Sequence, residues 1–166
     1  MQKPTGPETR LDMGWFAQLM YRALVWKERQ RAKHERGSGE RLKSKLEHLK
    51  FGERGETLAY WFLRQAGYRM VARNRRARSG AGELDLVGWD GAVLSFVEVK
   101  TRSTLAAGAP EAAVSRSKQR KIVKAAQEYL RRLKRQPINY RFDIVSVAWE
   151  REAGLQVRLI KDAYKG

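Results

Sequence analysis

Val93-Leu94-Ser95-Phe96-Val97-Glu98-Val99-Lys100 is an apolar run of strand length, rich in β-branched residues, that ends on a carboxylate and an amine. Side chains alternate along a strand, so Leu94, Phe96, Glu98 and Lys100 share one face, and Val93, Val97 and Val99 share the other. Apolar residues on both faces predict a central strand covered on each side. Two charges carried into such a place must be satisfied by each other, by a metal or by a substrate.

Immediately upstream, Gly82-Glu83-Leu84-Asp85-Leu86-Val87-Gly88-Trp89 reads as a second strand, and Asp90-Gly91 is a strong hairpin signal. With Asp90 and Gly91 as the two turn residues, Asp85 faces Phe96, one diagonal step from Glu98, and Glu83 faces Glu98 directly. Glu83, Asp85, Glu98 and Lys100 then lie on one face of the hairpin. Before this hairpin a helix is predicted to start near Phe51. Leu58, Ala59, Phe62, Leu63 and Ala66 form its apolar stripe, and Gly67 is suited to end it. Glu53 and Glu56 fall in its first turns, where the macrodipole favours carboxylates. Glu56 also adjoins Gly55, where another backbone can approach. Residues 68–72 read as a short strand. The polar loop 74–80, with Arg73, Arg75, Arg76 and Arg78 in and beside it, is suited to contact phosphates.

Downstream, 101–110 is a loop of small residues, and Ser115 or Ser117 caps a helix over 115–135. Its apolar stripe is Ile122, Ala126, Tyr129, Leu130 and Leu133, and its other face carries Lys118, Arg120, Lys121, Lys124, Arg131 and Arg132. Strands over 140–149 and 155–161 follow, joined by a turn at 151–154. The predicted class is α/β, in the order α-β-β-β-α-β-β over a domain at 51–166. Residues 1–50 form a basic helical N-terminal extension. Within it 11–26 has helical apolar spacing (Leu11, Trp15, Leu19, Leu24) and is expected to pack on the domain or a partner, or to lie on a membrane surface. Gly37-Ser38-Gly39 breaks it before a second charged helix at about 40–49.

Thirty-five Lys and Arg against 18 Asp and Glu give a formal net charge of +17. Such an excess points to a polyanionic partner, nucleic acid first. The absence of cysteine excludes disulfides, thiolate zinc sites and thiol catalysis. His34 and His48 lie on a charged stretch and read as solvated helix residues. No run reaches the ~18 apolar residues of a membrane span, and the expected location is the cytoplasm.

Only 12 acidic residues follow position 50, and three or four of them converge on the hairpin. Like charges a strand-width apart repel, so the cluster needs a cation among its members. Lys100 supplies one charge; Mg2+ or Mn2+, which take oxygen ligands, would supply two more. The matching chemistry is phosphodiester hydrolysis, with Asp85 and Glu98 as ligands, Lys100 positioning the water, and Glu56 as a further ligand or a carboxylate just behind them. The competing reading is an ion-pair ladder on the polar face of an ordinary sheet, against which Leu94 and Phe96 on the same face argue.

Asp85, a hairpin, then Glu98-Val99-Lys100 resembles the signature of the PD-(D/E)XK nuclease superfamily. The set Gly52-x-x-Gly55-Glu56-x-x-Ala59, Gly67-Tyr68, Asn74-x-Arg76, Gly82-Glu83-Leu84-Asp85-Leu86, Phe96-Val97-Glu98-Val99-Lys100-x-Arg102 and Arg141-Phe142-Asp143 resembles the YraN family of uncharacterised bacterial proteins. Those proteins are similar to archaeal Holliday-junction resolvases. Over about 51–150 the resemblance implies a restriction-endonuclease-like mixed β-sheet flanked by helices, a divalent metal site and binding to branched or otherwise structured DNA. It carries functional roles onto Glu56, Asp85, Glu98 and Lys100, and it matches Glu83 and Arg102. The implied activity is structure-selective endonucleolytic cleavage in recombination or repair, which for a four-way junction requires a homodimer. The alternative is a non-catalytic nucleic-acid-binding protein on the same fold. Residues 1–50 have no counterpart in the resemblance, and 78–81 is this chain's own version of a variable loop.

Overall fold

The run 93–100 lies in the middle of a mixed sheet. The computed structural model describes residues 40–102, 114–150 and 154–166, together with 8–9, 19, 22–23 and 26. Along the chain these form β1 (Glu8–Thr9), α1 (Glu40–Gln65), β2 (Arg69–Arg76), β3 (Glu83–Asp90), β4 (Val93–Arg102), α2 (Arg116–Arg131), β5 (Asn139–Glu150) and β6 (Gly154–Tyr164). The sheet order is β1-β6-β5-β4-β3-β2. β4 pairs antiparallel with β3 and parallel with β5, and the other pairs are antiparallel. Five strands thus form a mixed sheet, which the two-residue β1 extends at the β6 edge.

Each face of the sheet carries one helix, for the reason the alternation in β4 predicts. Val97 and Val99 join Leu58, Ala59, Phe62 and Leu63 of α1 in one core, with Leu86, Val145, Val147 and Leu159. Leu94 and Phe96 join Ile122, Ala125, Ala126 and Leu130 of α2 in the other, with Phe142, Ile144, Ile160 and Tyr164. Burying two apolar layers at roughly 25 cal/mol per Å² is the main stabilising contribution, and it explains why β4 tolerates almost no exposed residue.

The ends of α1 and α2 follow their local chemistry. Gly67, with φ of +91°, ends α1, and the Tyr68 amide donates to the Leu63 carbonyl at 2.9 Å. This is the left-handed closure a glycine permits. Ser115 is the N-cap of α2, its Oγ accepting from the Lys118 amide at 3.2 Å.

Three expectations are corrected. α1 is one helix from Glu40, so the break expected near position 50 is absent and Glu53 and Glu56 lie more than three turns in. Gly52 does not stop the helix, because a single glycine in a helix interior costs only about 1 kcal/mol. β2 runs to Arg76 rather than 72, so Arg73, Arg75 and Arg76 belong to an edge strand and not to a loop. Asp90 pairs with Val93, which makes Gly91 (φ +59°) and Ala92 the turn residues. Glycine at the first central position suits a hairpin turn as well as Asp-Gly does.

Of the amphipathic segment 11–26, Leu19, Arg22, Ala23 and Trp26 are described; they are helical, and Leu19 and Trp26 are exposed. The remaining readings on 11–26, the break at 37–39 and the loop 103–113 fall outside the described residues. Among the described residues no helix is long and apolar enough to cross a membrane.

Candidate functional site

The one-residue shift of the turn moves every pair of the hairpin by two residues. An even shift keeps each side chain on its face, but it changes who meets whom. One step beyond the Leu86–Val97 pair, Asp85 comes level with Glu98, whose charge it feels. On the other side Asn74, between the Arg73–Leu86 and Arg75–Leu84 pairs, is level with Asp85.

The sheet loses its regularity along this row. The β3–β4 ladder stops at Leu86–Val97, and beyond it the Val99 amide donates to Asp85 Oδ2 at 2.8 Å. Leu84 and Leu86 would share a face in a regular strand, yet they join opposite cores. Asn74 has φ of +50°, a conformation that asparagine tolerates better than most residues. The strands separate here, and carboxylates rather than backbone groups fill the gap.

Glu98 is only 2% exposed. Its Oε1 accepts an ion pair from Lys100 Nζ at 2.9 Å and another from Lys118 Nζ at 3.3 Å. Its Oε2 is buried with no hydrogen-bond partner. Burial and the neighbouring Glu98 charge push the Asp85 carboxyl up to about 7, against the Val99 amide and Lys118, which lower it. Glu56 reaches the same region from α1. Its carboxyl is raised by burial, lowered by the Asn74 side-chain hydrogen bond and by Arg73, and raised again by Glu83 and Glu53. Glu56 Oε2 is also buried and unpartnered. The helix-terminus explanation for Glu56 fails because α1 begins at Glu40. What lies beside it is Thr101 of β4, whose hydroxyl would overlap a Cβ placed on Gly55. Glycine at 55 therefore lets α1 rest on the end of β4.

The other expected residues sort into two groups. Glu83 pairs with Arg76 at 3.3 Å and stays partly exposed. Arg73 donates to Thr57 Oγ1 at 2.6 Å and lies over the Tyr60 ring, so it braces β2 on α1. Lys118 belongs to the carboxylates instead of the outer basic face of α2, whereas Lys121 and Lys124 are exposed on that face. Arg102 closes β4 and is half-buried. The 77–80 turn is anchored by Glu128 of α2, which accepts from the Arg78 amide at 2.8 Å and from Ser79 Oγ at 2.6 Å. Those bonds, the Ser79 hydroxyl first, hold the Glu128 carboxyl down to about 2. Arg75, Arg76, Tyr129 and Arg132 line a cleft of about 190 Å³ beside that anchor.

Among the described residues no three acidic or histidine side chains stand close enough to enclose a metal ion. Two carboxylates with a free oxygen between them fit a different kind of site. Mg2+ is commonly held by one or two carboxylates, with water and phosphate oxygens in its other positions. The unpartnered Glu98 Oε2 and the proton-retaining Asp85 fit such a group, as both gain from a nearby divalent charge.

Asn74 and Lys118 are the members that sequence reasoning assigned elsewhere. Asn74 stands in the Asn74-x-Arg76 motif, but its role at the site follows from a backbone conformation with φ of +50°. Lys118 had a readable signal: it sits in the first turn of a helix that carries no acidic residue there, where the macrodipole disfavours a cation.

A family model described as "Uncharacterised protein family UPF0102" matches residues 55–147. A UPF0102 protein of Koribacter versatilis is 45% identical over 118 residues, covering 71% of this chain and 81% of the relative. Another, from Symbiobacterium thermophilum, is 48% identical over 113 residues, covering 68% of this chain and 94% of the relative. A third, from Solibacter usitatus, is 46% identical over 110 residues, with 66% and 83% covered. The matched span 55–147 holds Glu56, Asp85, Glu98, Lys100 and Lys118.

Proposed function

The chain belongs to the uncharacterised family UPF0102, and from that premise we propose that it is a divalent-metal-dependent, structure-selective DNA endonuclease on a restriction-endonuclease-like fold. One observation carries the reading: Asp85 and Glu98 are brought level at a break in the sheet, with a buried carboxylate oxygen left open beside Lys100.

Asp85 and Glu98 would hold Mg2+ or Mn2+, with Glu56 as the acid behind them. The ion supplies Lewis-acid polarisation of the phosphoryl oxygen and a more acidic bound water. Lys100, fixed at 2.9 Å from Glu98, orients the attacking water and offers its positive charge to the transition state. The Val99 amide keeps Asp85 Oδ2 turned towards β4, which leaves its other oxygen for the ion. Asn74 holds Glu56 through its side-chain hydrogen bond.

DNA would lie across the basic edge formed by Arg75, Arg76 and Arg78 and by Lys121 and Lys124 of α2. With a net charge of +17, such binding releases many counterions and weakens steeply with salt. Cleavage of both strands of a branched substrate would take two copies of the site, hence a homodimer.

The test is incubation of the purified protein with duplex, single-stranded, flap and four-way-junction DNA, in Mg2+, Mn2+ or EDTA. The reading expects metal-dependent cleavage that favours branched DNA; binding without cleavage in every metal would overturn it. The second reading, a non-catalytic DNA-binding protein, is favoured by one fact: Glu98 already has two lysine partners. It predicts that Mn2+ finds no saturable site dependent on Asp85.

A further inference from the structure

Two lysines share one oxygen of Glu98, and they are held differently. Lys100 Nζ stands at 2.9 Å with its side chain 26% exposed; Lys118 Nζ stands at 3.3 Å with its side chain 38% exposed. Lys100 projects from the central strand, where its backbone is laddered to Ser146 of β5. Lys118 projects from the first turn of α2, its amide fixed by the Ser115 cap. Its base is rigid and its ammonium is the looser and more solvent-facing of the two.

The position is also unfavourable on its own terms. The first turn of a helix presents unsatisfied N–H groups and a partial positive charge, so a lysine there is repelled unless an anion is near. α2 has no acidic residue in that turn to compensate. The compensation comes from Glu98, and through space from Asp85, whose carboxyl Lys118 helps to keep charged.

We propose that Lys118 is a displaceable counter-ion of the site. Resting on the reading given above, it neutralises Glu98 in the metal-free protein and is released when Asp85 and Glu98 take a divalent cation. Its ammonium then turns to a non-bridging oxygen of the DNA phosphate that is cleaved or of the one beside it. A lysine chain of four methylenes spans several ångströms, so the move needs no shift of α2. Lys100, shorter-bonded and more enclosed, stays with Glu98. The exchange keeps the local charge nearly constant: the site passes from two lysines on one carboxylate to one lysine and one metal, with the second lysine on the substrate. The first turn of α2 lies beside Glu98 through Lys118, so its dipole opposes Lys118 there and would favour a phosphate bound next to it.

The experiment compares the parent with Lys118→Met, which keeps length and removes charge, and with Lys118→Arg. Mn2+ affinity is measured without DNA, by the loss of the free-ion signal in electron paramagnetic resonance. Single-turnover cleavage of a four-way junction is measured at saturating Mn2+, and thermal melts check the fold. Removing a competing cation from Glu98 should tighten Mn2+ binding of Lys118→Met roughly three- to tenfold. Loss of the phosphate contact should slow cleavage about 10²-fold, and Lys118→Arg should restore most of the rate. Weaker Mn2+ binding in Lys118→Met would make the lysine a structural support for Glu98 and overturn the proposal. Unchanged affinity and rate would overturn it equally, with the metal reading intact. A parent that binds no Mn2+ would instead overturn the metal reading and this inference with it.

Discussion

The two ends of the central strands treat buried acids in opposite ways. At the start of β4 and β5, Asp143 is fully buried and each oxygen is occupied. It accepts from Ser95 Oγ at 2.5 Å, Arg141 Nε at 2.9 Å, the Asp162 amide at 2.9 Å and the Tyr68 hydroxyl at 3.2 Å. Arg141 continues to Asp90, which Lys161 also reaches at 2.7 Å. Burial alone would raise the Asp90 carboxyl, but the bonds from Lys161 and Arg141 outweigh it and hold it low. At the far end of β4, Asp85 is raised to about 7 and the Glu98 and Glu56 carboxylates each keep an unpartnered buried oxygen. One end is a closed network whose donors match its acceptors. The other is short of positive charge. Burial of an acid says little by itself; what matters is whether its hydrogen-bonding capacity is filled.

Substitutions at either end test this contrast. The largest effect is expected at the closed one. Asp143→Ala leaves Arg141 buried without its main partner, and a urea denaturation curve should lose about 3–5 kcal/mol; a loss below 1 kcal/mol would show that the network is not structural. At the open end Asp85→Asn and Lys100→Ala should retain the fold and DNA affinity in EDTA while cleavage falls about 10²–10³-fold or more. Cleavage equal to the parent's would remove both residues from the site.

A third measurement compares the ends through metal. Mg2+ at a hundred times its dissociation constant should stabilise the parent by about 2.7 kcal/mol and leave Asp85→Asn unmoved in the same thermal scan. pH provides a fourth. Because the Asp85 carboxyl is raised in the folded chain, the folded protein keeps a proton that the unfolded chain loses at about pH 4. Stability should therefore decline as pH rises from about 4 to about 7, by at most about 1.4 kcal/mol per pH unit, and level off above. Asp85→Asn should flatten that slope. Asp90, held low, works in the other sense: it stabilises above the ordinary carboxylate range and is lost as pH falls through its own lowered value. The smallest effect is expected outside both clusters. Arg76→Ala, which removes an exposed pair with Glu83, should change stability by no more than about 1 kcal/mol.

Much of this was legible from residues, because two periodicities dominate the chain. The alternation in 93–100 showed which residues of β4 share a face and that both faces are covered, and the stripe from Leu58 to Ala66 located the buried side of α1. The turn was misplaced by one residue, since Asp90-Gly91 and Gly91-Ala92 are both good hairpin turns and only packing chooses between them. That error moved the neighbour of Asp85 from Phe96 to Glu98 and, being even in register, kept Asp85 on the Glu98 face, but the break that sends Leu84 and Leu86 to opposite cores ends the alternation before Glu83. The extent of β2 was hidden because an edge strand of arginines has no apolar alternation. Lys118 reads as a surface cation because nothing local says that the first turn of α2 lies beside Glu98. The network around Asp143 joins residues up to 75 positions apart, which no local pattern encodes.

The continuity of α1 has a mechanical consequence. From Glu40 to Glu56 the helix rises about 24 Å, as a single rod with no loop to absorb motion. It bears on the sheet at Gly55, where the gap left by a missing methyl group is filled by Thr101. Gly55 is therefore a fulcrum one residue from the acid it serves. Residues 40–50 are the long arm of this lever, and a small tilt there is reduced to a fine adjustment of Glu56. An alanine at 55 would raise the pivot itself, and Glu56 would be lifted from the other carboxylates while every one of them remained in place.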